Sequence, residues 1–400
     1  MKRRLEIIAL SPNSWDGQWV NRQQLLSRLG KQHEIVYSVG PWSIWDRGTS
    51  ELAKAPARGR FDRKNDVWVD VPSRFLLRWP RRIAWDSLVL RAQARRLRRR
   101  LPGVAPLVAY ICHPMYEPYI DILSPDYVVY HCYDLYQRQP GWTCELEAAE
   151  RRLLARADIV FSPTTMLSSE LMSKVRCEPR TLPNAADVGA VFSALSRAEA
   201  EPQDLARIAH PRIGYVGSIH PELDLGLMAD LATRRPEWNF VLIGPEQSVQ
   251  TLRASEEYQR CRALSNVHFL GEKHRSMVPG YLIHMDVNSM IYRQSSESWT
   301  RVAYPLKLHE YFASGQPVVS IDLPMIREFD GLIAFAGTVE EWERAIDSAL
   351  QNGDSAAVEK RRAIASGNSW DDRVALLETW LQELPSLREH RLQASGSAAP

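Results

Sequence analysis

Short apolar runs alternate with helical patterns along the whole chain. In the first half, the runs with strand character are LEIIAL (5–10), EIVYSV (34–39), VWVDV (67–71), PLVAYI (106–111), YVVYHC (127–132) and DIVFS (158–162). In the second half they are RIGYVGS (212–218), FVLIG (240–244), VHFLG (267–271), VNSMIY (287–292) and PVVSI (317–321). Amphipathic stretches such as 21–29 and 143–156 separate them. Strands that alternate with helices predict an α/β protein with parallel sheets covered on both faces.

One polar segment interrupts this alternation. Residues 196–210 read SRAEAEPQDLARIAH, without strand character, and strands restart immediately afterwards. We therefore predict two Rossmann-like domains, over 1–195 and 205–368, whose sheets face each other across a cleft that holds the ligands. Residues 369–388 are predicted to form a terminal helix, and the small polar residues of 389–400 a disordered tail.

Length, charge and cysteine content narrow the class of protein. A chain of 400 residues exceeds what one core usually organises, which agrees with two domains. The formal net charge of +2 argues against a nucleic-acid partner. The five cysteines are scattered, without a CxxC pair, so that neither a disulfide framework nor a zinc site is indicated. Reduced thiols and the lack of an 18-residue apolar run predict a cytoplasmic protein without a spanning helix.

The stretch YPLKLHEYFASGQPVVS (304–320) carries the clearest chemistry. Pro305 suits the first turn of a helix, and Gly315 suits its end. Lys307 and Glu310 are three residues apart and share a face. A lysine at the positive end of a helix is unfavourable unless an anion, such as a diphosphate, binds there. Glu310 could then accept hydrogen bonds from a ribose, although a solvated Lys/Glu pair is the alternative.

The pattern PxKxxEYxAxGxPVV, from Pro305 to Val319, resembles the donor-binding segment of GT-B glycosyltransferases. It is most similar to that of family-4-like bacterial enzymes and the xanthan-type glucuronosyltransferase. Further segments resemble the same fold in the same order: LPNAAD (182–187), IGYVGSI (213–219), WNFVLIGP (238–245) and NVHFLGEKHRSMVPGYL (266–282). The resemblance covers most of 105–330. It also implies that the terminal helix crosses back to the first domain.

The resemblance implies a donor site in the second domain. Gly217 and Ser218 would let the backbone approach the diphosphate, and Glu272 would lie beside the nucleobase. Tyr292 and Leu306 would border the donor, Lys307 would neutralise phosphate charge, and Glu310 would hold the ribose. The alternatives without a role in binding are that Gly217 only makes a tight turn and that Glu272 is an exposed loop carboxylate.

A second informative stretch, VVYHCYDLYQRQPGW (128–142), leads from a strand into a polar loop. The resemblance implies that Asp134 is the general base, which takes the proton of the attacking acceptor hydroxyl. The alternative is an aspartate that caps the following turn. His113, His131 and Arg138 are weaker candidates for the acceptor cleft, with a purely structural His113 as the alternative.

The resemblance leaves the stereochemistry open. Many family-4 enzymes carry an additional glutamate upstream of the one that holds the ribose. Val302 occupies that position here, and Glu297 is out of register. This departure weakens the expectation of a retaining mechanism, and a general base at Asp134 would fit inversion.

Residues 74–101 combine aromatic residues with many arginines. Ile83, Leu90, Ala94, Leu97 and Leu101 fall on one helical face, and arginines occupy the others. Such a helix can lie on an anionic membrane surface, although an ordinary packing helix is the alternative. We therefore predict peripheral contact with the inner face of the cell membrane and a lipid-linked acceptor.

Together these features predict a glycosyltransferase that moves a sugar from a UDP-sugar to a glycan, glycolipid or lipid-linked acceptor in bacterial polysaccharide biosynthesis. No Asp-x-Asp pair follows a cleft-facing strand, which predicts a metal-independent hexosyltransferase without a cofactor. The alternatives are a UDP-N-acetylhexosamine epimerase-like enzyme and a non-catalytic protein that binds sugar nucleotides or glycans.

Overall fold

The structure is a computed structural model that describes residues 3–17, 19–138, 141–172, 174–175, 177–293, 304–351 and 353–386. The chain forms two compact units. The first contains the residues up to Pro183 and the chain from Arg373 onward, and the second contains Asn184–Asp372. The segment 196–210 lies inside the second unit. Glu297, Val302 and the tail 389–400 lie outside the described residues.

The first unit is built on an eight-stranded sheet in the order β3-β4-β2-β1-β5-β6-β7-β8. Its strands are β1 (Glu6–Leu10), β2 (Glu34–Ser38), β3 (Arg60–Lys64), β4 (Val67–Val71), β5 (Leu107–Ile111), β6 (Tyr127–His131), β7 (Ile159–Ser162) and β8 (Arg180–Thr181). Its helices are α1 (Asn21–Leu29), α2 (Ser50–Lys54), α3 (Ile83–Arg98), α4 (Tyr119–Leu123), α5 (Cys144–Arg156) and α6 (Thr165–Met172). The six apolar runs predicted in this half all contain strands.

The second unit is built on a six-stranded parallel sheet in the order β11-β10-β9-β12-β13-β14. After α7 (Val188–Ser196), its strands are β9 (Arg212–Val216), β10 (Asn239–Ile243), β11 (Val267–Gly271), β12 (Val287–Met290), β13 (Val318–Ser320) and β14 (Ile333–Phe335). Its other helices are α8 (Leu225–Arg234), α9 (Val249–Ala254), α10 (Glu256–Ala263), α11 (Val278–Leu282), α12 (Leu308–Ser314), α13 (Val339–Gln351) and α14 (Ser355–Ser366). The predicted α/β class with two parallel sheets is confirmed.

Three strands had no signal in the sequence. β3 reads RFDRK and pairs antiparallel with β4, which makes it the exception to the parallel pattern. A charged strand at a sheet edge discourages pairing with another chain, and for the same reason it lacks an apolar run. β8 has two residues and β14 has three, so both are too short to show a period.

The last helix, α15 (Trp370–Gln382), packs in the first unit from Arg373 onward. Glu378 forms a buried ion pair with His33, whose Nε2 lies 2.7 Å from the carboxylate. The ring of Trp380 lies 5.9 Å from that of Phe161. The N- and C-terminal segments of the chain therefore share one hydrophobic core.

Helix α3 packs differently from the prediction. Leu90, Ala94, Leu97 and Leu101 are buried, which confirms most of the predicted apolar face. Ile83 does not belong to it, because 83% of its surface is exposed. In the same first turn, Trp85 is 48% exposed, whereas Asp86 is buried and pairs with Arg78. The face predicted to meet a membrane is thus the face that packs in the protein.

Candidate functional site

The segment around Lys307 lies next to the carboxyl edge of the second sheet. Helix α12 starts at Leu308, with Lys307 as the residue that precedes it, and ends at Gly315, whose φ of 84° is left-handed. Pro305 lies in the turn before the helix, where its carbonyl accepts from the Leu308 N–H at 3.2 Å. The predicted helix is therefore present, but it starts about one turn later than Pro305.

The Lys307 ammonium is enclosed by aromatic side chains. Its Nζ lies 3.6 Å from the centre of the Tyr215 ring and 5.2 Å from that of Tyr292. Burial lowers the pKa of Lys307 well below its ordinary value, and the nearby Glu310 charge opposes that shift. No carboxylate of the described residues forms an ion pair with Lys307. A partly buried ammonium that faces two aromatic rings and has no ion-pair partner among the described residues gains from an arriving anion.

Gly217 allows the lysine to approach the backbone. It follows β9, and its φ of 146° is a conformation that side chains avoid. A Cβ at this position would lie 2.6 Å from Lys307 Nζ. Gly244, at the end of the neighbouring β10, has a φ of 147°, and a Cβ there would lie 2.0 Å from the Gly217 carbonyl oxygen. Two adjacent strand ends are thus kept free of side chains directly below the ammonium.

Glu310 lies one turn into α12 and has a perturbed pKa. Burial and the negative charge of Asp187 raise the pKa of Glu310 to about 7. Arg275, Lys307 and the hydrogen bond from the Asp187 backbone N–H oppose this rise. Arg275 in turn pairs with Asp187 at 3.1 Å. The carboxyl group therefore changes its charge near neutral pH.

Residues 184–187 hold this region in place. Asn184 Nδ2 donates to the Tyr304 carbonyl at 2.8 Å, just before the turn that carries Lys307. The N–H of Ala186 donates to the Asn368 carbonyl at 3.2 Å. The segment that resembles a family signature therefore supports the start of α12 within the second unit.

The other predicted donor residues surround the same strand ends. The Ser218 carbonyl accepts from the Tyr215 hydroxyl at 2.9 Å, and its Oγ accepts from Gln247 Nε2 at 3.0 Å. Tyr292 is buried and meets Tyr215 edge-on. Leu306 is half-buried in the turn beside Lys307. The structure thus brings these three residues together with Gly217, Lys307 and Glu310.

Glu272 lies at the rim of a neighbouring cavity of about 680 Å³. The cavity opens beside β10 and β11 and includes Gly244 and Gly271, the last residues at those strand ends. Arg253 and Arg262 also line it, and Arg253 pairs with Glu246 at 2.7 Å. The space is large enough for a nucleobase and adjoins Gly217 through Gly244.

Sequence reasoning missed Tyr215, His220 and Asp187. Tyr215 lies inside the quoted run IGYVGSI, but only the folded chain brings its ring under Lys307. Burial and the Lys307 charge lower the pKa of His220 to about 4, so its imidazole is neutral at pH 7. Asp187 is distant in sequence from Glu310, and no local pattern could have linked them.

The acceptor-site candidates belong to the first unit. Asp134 is half-buried beyond the end of β6, and its Oδ1 accepts from the Leu135 N–H at 2.7 Å. His131 is buried, 2.8 Å from the Tyr110 hydroxyl through Nδ1, and burial lowers its pKa well below the ordinary value. His113 accepts from the Met115 N–H through Nδ1, and burial lowers its pKa to about 4. Arg138 is exposed.

Two features are absent from the part of the chain that the structure describes, a metal-binding cluster and a membrane-spanning helix. No cluster of three or more His, Cys, Asp or Glu side chains there could hold a metal ion. No helix there is both long and apolar enough to cross a membrane.

The second unit is similar to known glycosyltransferases. Residues 210–352 match the family of "Glycosyl transferases group 1". The chain is also 28% identical over 269 residues to TuaH of Bacillus subtilis (strain 168), which is provisionally assigned as a teichuronic acid biosynthesis glycosyltransferase. That match covers 62% of this chain and 65% of TuaH, just under two thirds of the relative's length.

Solved structures are similar over nearly the whole chain. Anabaena Alr3699/HepE in complex with UDP has a TM-score of 0.66 at 14% identity, over 95% of this chain and all of that one. The α,α-trehalose 6-phosphate synthase of Burkholderia multivorans has a TM-score of 0.66 at 12% identity, over 100% of this chain and 99% of that one. The chain therefore has the predicted GT-B fold, and its residues 210–352 match the glycosyl transferases group 1 family.

Proposed function

We propose that the protein is a glycosyltransferase that takes a sugar from a nucleoside diphosphate sugar, with UDP as the nucleotide. The observation that carries the proposal is the Lys307 ammonium, which has two tyrosine rings and a glycine backbone as neighbours and no ion-pair partner among the described residues. A diphosphate beside Gly217 would neutralise it. Neighbouring folds solved with UDP and UDP-glucose support the choice of nucleotide.

The remaining donor residues have complementary roles in this proposal. Glu310 accepts hydrogen bonds from the ribose hydroxyls, and Glu272 borders the nucleobase in the adjacent cavity. Ser218, Tyr292 and Leu306 form the wall around the diphosphate. Charge stabilisation of the leaving diphosphate by Lys307 would make a metal ion unnecessary, and unchanged turnover in excess EDTA is the expected result.

For the acceptor half, we propose Asp134 as the general base, with His113, His131 and Arg138 near the acceptor. The acceptor hydroxyl loses its proton to the carboxylate as it attacks the anomeric carbon, while the bond to the diphosphate breaks. The acceptor itself is proposed to be a glycan, glycolipid or lipid-linked sugar of a bacterial surface polysaccharide, as the similarity to TuaH suggests.

The test begins with a thermal-shift screen of nucleotide sugars, because a ligand that binds the folded state raises its melting temperature. With the best donor, release of UDP is then measured for wild type, Asp134→Asn and the matched control Asp121→Asn. We expect Asp134→Asn to keep its affinity for UDP and to lose roughly 100-fold or more in turnover. Full turnover in Asp134→Asn would exclude it as the base. Epimerised donor without transfer would favour the epimerase alternative, and binding without either reaction a non-catalytic protein.

We also propose that the first unit contacts an anionic membrane surface, from which it would take a lipid-linked acceptor. Around the start of α3, the exposed apolar side chains are Trp45, Phe75, Trp79, Ile83, Trp85 and Leu88. Arginines lie over several of these rings: Arg74 over Phe75, Arg81 over Trp45 and Arg82 over Trp79. Aromatic rings beside arginines suit the boundary between lipid headgroups and acyl chains.

Vesicle flotation tests this surface. Wild type should float with vesicles that contain anionic lipid and less so with zwitterionic ones. The double substitution Ile83→Ser with Trp85→Ser should weaken binding by about tenfold or more, because two apolar side chains no longer leave water. Val104→Ser is the control, since Val104 is 86% exposed in the same unit outside this cluster. Flotation of none of the proteins would contradict membrane contact, and equal flotation of all three would contradict contact through Ile83 and Trp85.

A further inference from the structure

The start of α1 lacks the usual side-chain cap. Val20 occupies the capping position, and its hydrocarbon side chain offers no oxygen to the first N–H groups of the helix. The first intrahelical bond runs from the Gln24 N–H to the Val20 carbonyl at 3.2 Å. The first turn contains no acidic residue. The positive end of this nine-residue helix therefore has no counter-charge from its own first turn.

Arg22, the second residue of α1, is a buried cation. Only 3% of its surface is exposed, and its carbon Cζ lies 3.6 Å above the centre of the Tyr133 ring. The Nε and Nη1 atoms are buried and have no hydrogen-bond partner, and no ion pair forms with Arg22 among the described residues. Donors of a charged group that are withdrawn from water without an acceptor are strongly unfavourable.

The groups around Arg22 are neutral at pH 7. Burial raises the pKa of the Tyr37 hydroxyl and raises that of the Cys112 thiol to about 12, and the Arg22 charge opposes both shifts. Burial lowers the pKa of His131, and Arg22 adds to that effect. Ser11, directly after β1, is buried near Tyr37 and Cys112. The two guanidinium donors of Arg22 therefore face neutral groups and lack acceptors.

We propose that Arg22 and the start of α1 bind an anionic group, a phosphate or a carboxylate, of the acceptor substrate. An oxyanion can accept a charge-assisted hydrogen bond from either of these two unsatisfied guanidinium donors. Tyr133 lies under Arg22 and directly precedes Asp134, so the anion would lie close to the proposed base. The assignment of this anion to the acceptor rests on the proposed function, whereas anion binding by Arg22 does not.

The experiment measures anion binding to the full chain by calorimetry, with UDP first added to saturation so that Lys307 is occupied. The probes are inorganic phosphate, glucuronic acid and, as the neutral control, glucose, at matched ionic strength. Wild type should bind one or both anions and not glucose. Preference for phosphate would indicate a phosphorylated acceptor, and preference for glucuronic acid a carboxylated sugar.

The variants are Arg22→Met, Arg22→Lys and the control Arg28→Met, which changes an arginine in the last turn of the same helix. We expect Arg28→Met to bind the anion like wild type and Arg22→Met to lose at least tenfold in affinity. Arg22→Lys should fall between them, because it keeps the charge but has one donor nitrogen instead of three. Arg22→Met should also raise the melting temperature without anion, since an unpaired buried charge is removed, whereas a structural arginine would lower it.

The inference is overturned if no anion binds, or if Arg22→Met and Arg22→Lys bind it as wild type does. A lower melting temperature of Arg22→Met together with unchanged anion binding by Arg22→Lys would assign Arg22 a structural role instead. UDP binding tests the proposed donor site, so that a failure of the proposed function can be distinguished from a failure of the Arg22 inference. If UDP fails to bind wild type, the donor site fails, and the anion titration still tests Arg22 independently.

Discussion

Glu310 is the side chain whose charge should control nucleotide affinity. Its pKa of about 7, against an ordinary 4.5, means that much of it is protonated at pH 6. Only the carboxylate can accept two hydrogen bonds from a ribose, so UDP affinity should rise from pH 6 to pH 8, by about tenfold for one coupled proton. Titration calorimetry at several pH values measures the rise.

The variant Glu310→Gln isolates this effect. It cannot ionise, so any remaining pH dependence reports the phosphate of UDP itself. Glu328→Gln, an exposed change in the same unit, should keep the wild-type profile. Parallel profiles for wild type and Glu310→Gln would contradict a ribose contact through Glu310.

The same pKa predicts the pH dependence of stability in the free protein. Because the folded pKa lies above the unfolded one, the folded state binds more protons between pH 4.5 and about 7. The contribution of Glu310 to stability is thus fully present below pH 4.5 and is lost as the pH rises through 7. Urea unfolding should show a smaller decline over this range in Glu310→Gln than in wild type.

Gly217 tests whether the backbone must approach the diphosphate. In Gly217→Ala, the new methyl group meets Lys307 Nζ and the φ of 146° becomes strained, at a cost of about 1–3 kcal/mol. We expect a lower melting temperature and at least a tenfold loss of UDP affinity. Gly189→Ala, where a Cβ would meet nothing within 4 Å, is the control. Wild-type affinity in Gly217→Ala would show that the ligand binds elsewhere.

At the scale of elements, α15 is held in the first unit by a buried ion pair. His33 Nε2 and Glu378 lie 2.7 Å apart with side chains 1% and 2% exposed, and His33 Nδ1 accepts from the Leu5 N–H at 3.2 Å. Removing one member of such a pair costs about 3–5 kcal/mol. Glu378→Ala should therefore lower the free energy of unfolding by that amount in urea titrations. Glu383→Ala, one turn on and partly exposed, should cost under about 1 kcal/mol. Equal losses would refute a special role of the pair.

The sequence was sufficient to predict elements with a strong hydrophobic pattern. It was insufficient to predict elements and exposures that tertiary contacts determine. Every predicted apolar run contains a strand, because buried parallel strands are apolar on both faces. β3 was missed since its stability comes from pairing with β4 rather than from its own side chains. Ile83 has the helical spacing of a core residue, yet 83% of its surface is exposed, and the spacing alone does not reveal which elements surround it in the folded chain.

The residues of the candidate site also fall into those that local sequence reveals and those that only tertiary contacts bring together. Gly217, Lys307 and Glu310 could be found because the residue types and spacing of a phosphate and ribose site are local. Tyr215 and Asp187 could not, since each meets Lys307 or Glu310 only after distant segments fold together. Arg22 had no signal at all: an arginine in the first turn of a helix is common, and its lack of partners exists only in the folded protein.

At the scale of the whole molecule, the second unit is an uninterrupted stretch of chain, whereas the first needs both ends. The core of the second unit is formed by residues between Ala186 and Ala365. Hydrogen bonds from Ala186 to Asn368 close it within its own boundaries. A fragment of residues 1–183 would instead lack Glu378 and leave His33 buried without its partner. The two fragments should therefore differ in their ability to fold alone.

We predict that the fragment 184–372 folds and binds UDP with an affinity within about threefold of the full chain, a difference of under 1 kcal/mol. The reason is that Gly217, Lys307, Glu310 and the cavity beside Glu272 all belong to this stretch. A cooperative thermal transition establishes folding, and calorimetry compares the affinities, with Lys307→Ala in the fragment as the control for specific binding. If the folded fragment lost tenfold or more in affinity, the first unit would have to supply nucleotide contacts, and the assignment of the whole donor site to residues 184–372 would be wrong.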